Sequence, residues 1–423
     1  MQAAADSYAY LALGTLLLAG CAINKLPADQ VSLMPAPAIY GEGRIDPFDN
    51  SAALADSPPP CILYATDRAP TAEPERFAYY SDERANVLRL GKACIEPAGH
   101  QPLTWAELRR ISLLKNRGGR YPLQVGSVDE YGILERSVPP FADGVERSPV
   151  PGDRFAAALD ARLAAAANKD VYIYVHGYKV DYENPVLVAG ELWHFLGNDG
   201  AFIAYSWPST RKTLAYWSDL DDALNSARGL RMLIAFLSEQ DAVENIHVIG
   251  YSAGTRLVAR MLADLGMYSR FMSEDEIRRR LRLGQVILVG SDIDRGILGG
   301  YLLDGALRVP KSLTIYQSSA DSALSLSKLL FRRQRAGEAL IGEMETEQAR
   351  RFLSSHSRLR VIDVSNAEGA VSGSGHGYLR ESPWVSSDVV LSLRYDLAPQ
   401  ERGLTRTPGS PIWTFPDDYL EQP

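Results

Sequence analysis

The chain has 423 residues, enough for one elaborated α/β domain with extensions, and 46% of them are hydrophobic, ample for a large core. Its 52 acidic against 44 basic side chains give a formal charge of −8, which excludes a basic face for nucleic acid. Six histidines and three cysteines, without Cys-x-x-Cys, His-x-x-x-His or His-Glu-x-x-His spacing, exclude the common metal sites, and no cofactor is expected.

Tyr8 to Leu18 is an apolar run as long as a signal-peptide core and too short to span a bilayer. It ends in Leu18-Ala19-Gly20-Cys21, which resembles the bacterial lipobox. That resemblance implies that residues 1–20 are a removed signal peptide and that Cys21 is lipidated. With Ala22 next, it implies an anchor in the outer membrane, facing the periplasm. Residues 21–60 are rich in Pro, Ala, Ser and Asp, end in Pro58-Pro59-Pro60, and are expected to form a partly extended tether. In an exported chain Cys61 and Cys94 either pair, since both lie in neighbouring early strands, or remain buried thiols.

The folded body is expected over 61–396, with early strands and an irregular extension to 150 and a catalytic core from 151. Cys61 to Thr66 reads as a strand closed by Asp67-Arg68, and Asn86 to Ile95 as a second. Residues 96–150 show only turns and a short helix near Thr104 to Leu114, with His100 in a surface loop. From Asp153, a candidate cap for an Ala-rich helix to Ala167, helix and strand alternate. Val171 to Val175 is an unbroken apolar run, the pattern of a strand buried on both faces. Further strands are expected at Phe202 to Tyr205, Ile246 to Ile249, Gln285 to Val289, Leu313 to Tyr316 and Leu359 to Val364. Helices are expected near 186–196, 221–237, 254–265, 274–282, 322–332 and 387–395. This alternation demands an α/β fold with a mostly parallel central sheet covered by helices on both faces. Residues 397–423, with several Pro and Gly and the aromatics Trp413, Phe415 and Tyr419, read as an irregular strap.

The chemistry concentrates at Gly250-Tyr251-Ser252-Ala253-Gly254, where a β-branched strand turns directly into an apolar helix. A serine at such a corner is held in a strained backbone and pushed above the sheet, and the helix start offers N–H groups to a developing negative charge. A serine hydroxyl needs a base, and the histidines are sorted by which lie beyond the carboxyl ends of strands. His376, between Gly375 and Gly377 after the last strand, passes; His247 and His356 fall at the far edge, and His194 on a helix. The loop His176-Gly177-Tyr178 makes the Tyr178 and Ala253 backbone N–H groups the candidate oxyanion donors, with His176 as a loop anchor. The carboxylate that would orient His376 is a contest between Asp321 and Asp292, with Asp294 farther from its strand end. Asp321 follows the penultimate expected strand, the place of the acid that the alpha/beta-hydrolase resemblance set out next implies.

The order Val175-His176-Gly177-Tyr178, Ser206-Trp207-Pro208-Ser209, Gly250 to Gly254, an Asp loop and Gly375-His376-Gly377 resembles the alpha/beta-hydrolase superfamily. Tyr64-Ala65-Thr66-Asp67-Arg68 and Tyr316 to Asp321 narrow the resemblance to a bacterial branch of alpha/beta hydrolases of unknown function. The resemblance implies an esterase-like serine hydrolase acting on a small-molecule or lipid ester, or less readily an amide or thioester, through an acyl-enzyme. Transfer to an acceptor other than water, and a catalytically silent envelope lipoprotein, stay as alternatives.

Overall fold

The computed structural model describes residues 31–41, 45–48, 60–72, 79–98, 105–114, 117, 119–142, 144–210, 216–322 and 347–420. The expected signal peptide, Cys21, His100 and all but the first residue of the helix expected over 322–332 lie outside the described residues.

Among the described residues ten strands form one sheet: β1 (Cys61–Pro70), β2 (Tyr80–Pro97), β3 (Leu123–Ile133), β4 (Val171–Val175), β5 (Ala201–Ser206), β6 (Ile246–Tyr251), β7 (Leu283–Val289), β8 (Ser312–Gln317), β9 (Leu359–Asp363) and β10 (Ile412–Thr414). Their order is β10-β9-β8-β7-β6-β4-β5-β1-β2-β3. Every neighbouring pair is parallel except β1 with β2 and β2 with β3.

Successive side chains of a strand point to opposite faces, so each buried strand feeds two cores. Val171, Ile173 and Val175 of β4 enter one core, and Tyr172 and Tyr174 enter the other. The first core is covered by α1 (Val150–Ala165), α2 (Tyr216–Leu237) and α3 (Gly254–Tyr268). The second lies under the helices Glu183–Phe195 and Pro383–Tyr395. The chain therefore leaves neighbouring strands β4 and β6 toward opposite faces, which opens a crevice above their carboxyl ends, the usual place for a site in such sheets.

Three expectations need correction. The described part of the tether, residues 31–41 and 45–48, is packed on the body: Val31, Leu33, Met34, Ile39 and Tyr40 are buried in the second core, and Phe48 is buried against His194. Its backbone pairs with the start of β3, Leu33 N–H to Tyr121 O at 2.8 Å and Leu123 N–H to Val31 O at 2.7 Å. Pro-, Ala- and Ser-rich composition hid apolar side chains spaced closely enough to be buried one after another. The stretch 96–150 is not merely turns and a short helix, because β3 extends the sheet and β2 runs well past Asn86 and Ile95 at both ends. The tail is not wholly irregular, since β10 pairs with β9 and adds a parallel edge strand.

The tail is fastened by charge. Arg402 and Asp388 are both fully buried and joined from Nε to Oδ1 at 2.6 Å and from Nη2 to Oδ2 at 3.1 Å. Tyr316 of β8 donates its hydroxyl to the same carboxylate at 2.5 Å. At the other end of the sheet Cys61 and Cys94 face each other in register and form a disulfide. Asp388→Ala leaves the Arg402 guanidinium buried without its counter-charge. It is expected to lower stability by about 3–5 kcal/mol in urea unfolding; a loss below about 1 kcal/mol would show that the tail pair carries little of the fold.

Candidate active site

Ser252 sits in left-handed backbone at φ 52°, between the end of β6 and the start of α3. That conformation is uncommon for a residue with a side chain and costs on the order of 1–3 kcal/mol, so its surroundings must hold it. The Ser252 N–H donates to Val289 O of β7 at 2.9 Å, while its carbonyl accepts from Thr255 N–H at 3.0 Å and Thr255 Oγ1 at 2.6 Å. The flanking glycines are needed for space. A Cβ on Gly254 would collide with the His176 carbonyl, and one on Gly177 would stand 2.8 Å from the Ser252 Cβ. The loop after β4 is thereby pressed against the serine, with Tyr178 next in sequence and Ala253 at the N-cap of α3.

That loop is itself clamped. Lys179 is left-handed at φ 69°. The Ser209 hydroxyl holds both sides of Val180, donating to its carbonyl at 2.9 Å and accepting from its N–H at 3.3 Å. Arg68, fully buried, donates to Val180 O at 2.9 Å, Ser209 O at 3.3 Å, Ser81 O at 3.2 Å and Ser206 Oγ at 3.0 Å. The Thr66 hydroxyl donates to Ser206 O at 2.6 Å. The Thr-Asp-Arg and Ser-Trp-Pro-Ser motifs thus form one bracket under the loop. The sequence alone gives these two motifs no joint work, because their contact spans some 140 residues of chain. His176 is buried between the carbonyls of Gly177 at 2.7 Å and Trp207 at 3.1 Å and stacks on the Trp207 ring, 5.0 Å between centroids. Burial, then the Arg68 charge, hold its pKa well below the ordinary value, so it stands neutral.

His376 and Asp321 meet at the same sheet edge, Nδ1 to Oδ2 at 2.6 Å, with the carboxylate side chain fully buried and the imidazole 14% exposed. Gly375, left-handed at φ 66°, lies so close to the Ala320 carbonyl that no side chain fits there. Ser322 donates to Ser374 O from both N–H, at 3.0 Å, and Oγ, at 2.9 Å. The His376 ring covers Gly290, where a Cβ would lie 2.8 Å from its Cε1. Gly290 follows Val289, whose carbonyl holds the Ser252 N–H, so the imidazole stands beside the serine corner. The Tyr251 hydroxyl donates to the His376 carbonyl at 3.1 Å. Tyr378, two residues on, accepts from Gly290 N–H at 2.6 Å and donates to Tyr316 O at 3.0 Å. Nothing in the sequence marked Gly290 or Tyr378 as supports of this histidine.

The other acidic candidates are engaged elsewhere. Asp292 Oδ2 accepts from Arg256 Nε at 3.2 Å, and Asp294 caps the helix Arg295–Leu303 through Ile297 N–H at 3.0 Å. That helix is not among those expected from the sequence. His247 lies at the far end of β6, accepting from Gln285 N–H at 3.1 Å, and His194 is buried with Nε2 2.7 Å from Ser112 Oγ. Among the described residues no group of three His, Cys, Asp or Glu side chains is placed to hold a metal ion.

Residues 153–394 match a family described as alpha/beta hydrolase of unknown function (DUF900). Over 84 residues the chain is 37% identical to the uncharacterized protein alr1448 of Nostoc sp. (strain PCC 7120), a stretch covering 19% of this chain and 22% of that protein. No solved structure matches the chain.

Burial works against a charged His376, but the charge and hydrogen bond of Asp321, with Asp292 and Glu381 farther out, outweigh it and raise its pKa. A raised folded-state pKa means the pair stabilises the fold fully below the unfolded value of about 6.5 and loses that contribution as pH rises through the folded value. In an NMR titration the His376 imidazole is expected to titrate above about 6.5, and Asp321→Asn to lower it, because burial is then opposed only by the more distant Asp292 and Glu381. An unchanged titration in Asp321→Asn would show that the carboxylate does not govern this imidazole.

Proposed function

Since the chain belongs to a family of alpha/beta hydrolases of unknown function, we propose that it is a serine hydrolase that cleaves a carboxylic ester, with Ser252, His376 and Asp321 as its triad. The observation that carries this reading is the left-handed Ser252 corner beside an imidazole whose Nδ1 is held by a buried carboxylate. With Nδ1 on Asp321, Nε2 of His376 is the nitrogen left to take the proton of Ser252 Oγ as the oxygen attacks the ester carbonyl carbon. The resulting oxyanion is stabilised by the Tyr178 and Ala253 backbone N–H groups and by the N-terminal end of α3. Collapse of the intermediate breaks the bond to the alkoxy oxygen, which leaves as an alcohol with the proton from His376. Water then attacks the acyl-Ser252 ester with His376 again as base, releasing the acid and the serine.

The bracket of Arg68, Ser206 and Ser209 supports the same reading. A donor loop built for charge that develops only in the transition state gains by being fixed beforehand. We also propose that the enzyme is exported and anchored to the outer membrane through lipidated Cys21, facing the periplasm. The Cys61–Cys94 disulfide favours export, because disulfides persist in oxidising compartments.

A fluorophosphonate probe is expected to label the wild-type protein and not Ser252→Ala; a folded wild type that resists labelling would overturn the hydrolase reading. With an accepted ester, Asp321→Asn should reduce turnover by on the order of 10⁴, while Asp292→Asn should stay within about tenfold of wild type. The reverse ranking would move the acid to Asp292. Since neutral His376 is the base and its pKa is raised, kcat/KM should fall as pH drops through a value above about 6.5. For the anchor, Cys21→Ser should shift the protein from the membrane to the soluble fraction; unchanged fractionation would remove Cys21 as the attachment point.

A further inference from the structure

His376 lies on a stretch with little regular structure of its own. β9 ends at Asp363, and the next helix, Tyr378–Glu381, has 4 residues, too few to keep its shape without outside contacts. Asp321, Ser322, Tyr251 and Tyr378 fasten this stretch to the sheet edge. Arg380 is a further fastener, and its own backbone N–H donates at 3.0 Å to the carbonyl of Gly377, the residue after His376. Arg380 Nε donates to Glu191 Oε2 at 2.6 Å, and Arg380 Nη2 to Ser32 O at 3.0 Å. The Met34 N–H donates to Glu191 Oε1 and closes a ring. In an extended chain successive residues turn their backbone groups to opposite sides. Leu33 N–H is turned to Tyr121 O, just before β3, so Ser32 O and Met34 N–H are turned to the Arg380–Glu191 pair.

The Glu191 side chain is fully buried, which is costly for a carboxylate unless donors take its oxygens. Met34 and Arg380 take one each. Burial works against the Arg380 charge, but the charge and hydrogen bond of Glu191 outweigh it and raise its pKa. The helix that carries Glu191, Glu183–Phe195, is itself held in the second core by Leu187, Leu192 and Phe195. The helix and the N-terminal segment are thus the frame, and the short turn after His376 is the part they fix. We propose that Arg380 and Glu191, completed by the backbone of Ser32 and Met34, are positioning residues that keep the His376 imidazole on Asp321 and beside Ser252. The inference rests on the hydrolase reading and adds to it that the N-terminal segment, expected to be a tether, supports the site.

The test compares full-chain variants by the NMR titration of His376 and by ester hydrolysis. Glu191→Gln keeps the shape of the side chain and removes the charge that holds Arg380. It is expected to lower the pH at which His376 titrates, because a loosened turn weakens the Asp321 contact. It should also cut kcat by on the order of tenfold or more, with KM within about twofold. The charges acting most on His376 are Asp321, Asp292 and Glu381, so a shift on losing Glu191 reports a change of position. Met34→Pro, which deletes the N–H donated to Glu191, should act in the same direction. Arg380→Lys, which keeps a charge for Glu191, should retain more activity than Arg380→Gln. Ile39→Ala removes a buried side chain from the same segment and none of the ring; it should lower stability and leave the titration and kcat as in the wild type. An unchanged His376 titration in folded Glu191→Gln, or a loss of kcat in Ile39→Ala as large as in Glu191→Gln, would overturn the proposal. A wild type that neither hydrolyses esters nor takes a fluorophosphonate label would sink the hydrolase reading instead, and the titration alone would still decide whether the ring positions His376.

Discussion

The left-handed backbone of Ser252 is the constraint on which the surrounding architecture depends. A serine at φ 52° is disfavoured on its own, and the neighbouring elements hold it from three sides. β7 takes its N–H through Val289, the first turn of α3 takes its carbonyl through Thr255, and the loop after β4 closes over it at Gly177. The contacts to β7 and to the loop after β4 require the sheet order in which β6 lies between β4 and β7. A fold with the same strands in another order would leave the corner unsupported.

The same edge carries charges buried in different ways. Arg68 is spent on three backbone carbonyls and a serine hydroxyl, so it shapes a loop; Asp321 faces an imidazole that can change charge. His176 stays neutral because burial and Arg68 both oppose its protonation, whereas His376 has carboxylates around it that overcome burial. Two histidines of one crevice are thereby driven to opposite protonation preferences by their neighbours.

Both ends of the described chain serve the second core. The N-terminal segment reaches Glu191, whose carboxylate accepts from Met34 N–H and from Arg380 at 2.6 Å, and Arg380 Nη2 donates to Ser32 O at 3.0 Å. The tail binds through Arg402 and Asp388. Neither partnership is visible as a local pattern, because Glu191 and Asp388 read as ordinary polar positions on amphipathic helices. Their long-range partners alone make burial tolerable.

What the residues determined by themselves was the class of fold and the serine corner between strand and helix. Unbroken apolar runs such as Val171 to Val175 can be satisfied only inside a covered parallel sheet, and Gly-x-Ser-x-Gly between strand and helix is a local steric statement. The candidate histidine was also legible, since its position after a strand carboxyl end and between glycines is a local property. Tertiary structure decided the rest: β3 and β10, edge strands with few buried side chains and so no apolar run to mark them, and the packing of residues 31–41 and 45–48, concealed by loop-like composition. It also decided which carboxylate meets His376. Asp321 and Asp292 both follow strands, and only the close approach of Gly375 to Ala320 and the coverage of Gly290 by the imidazole select one of them, while Arg256 takes the other. Such contacts join residues tens to hundreds of positions apart, and local periodicity holds no record of them.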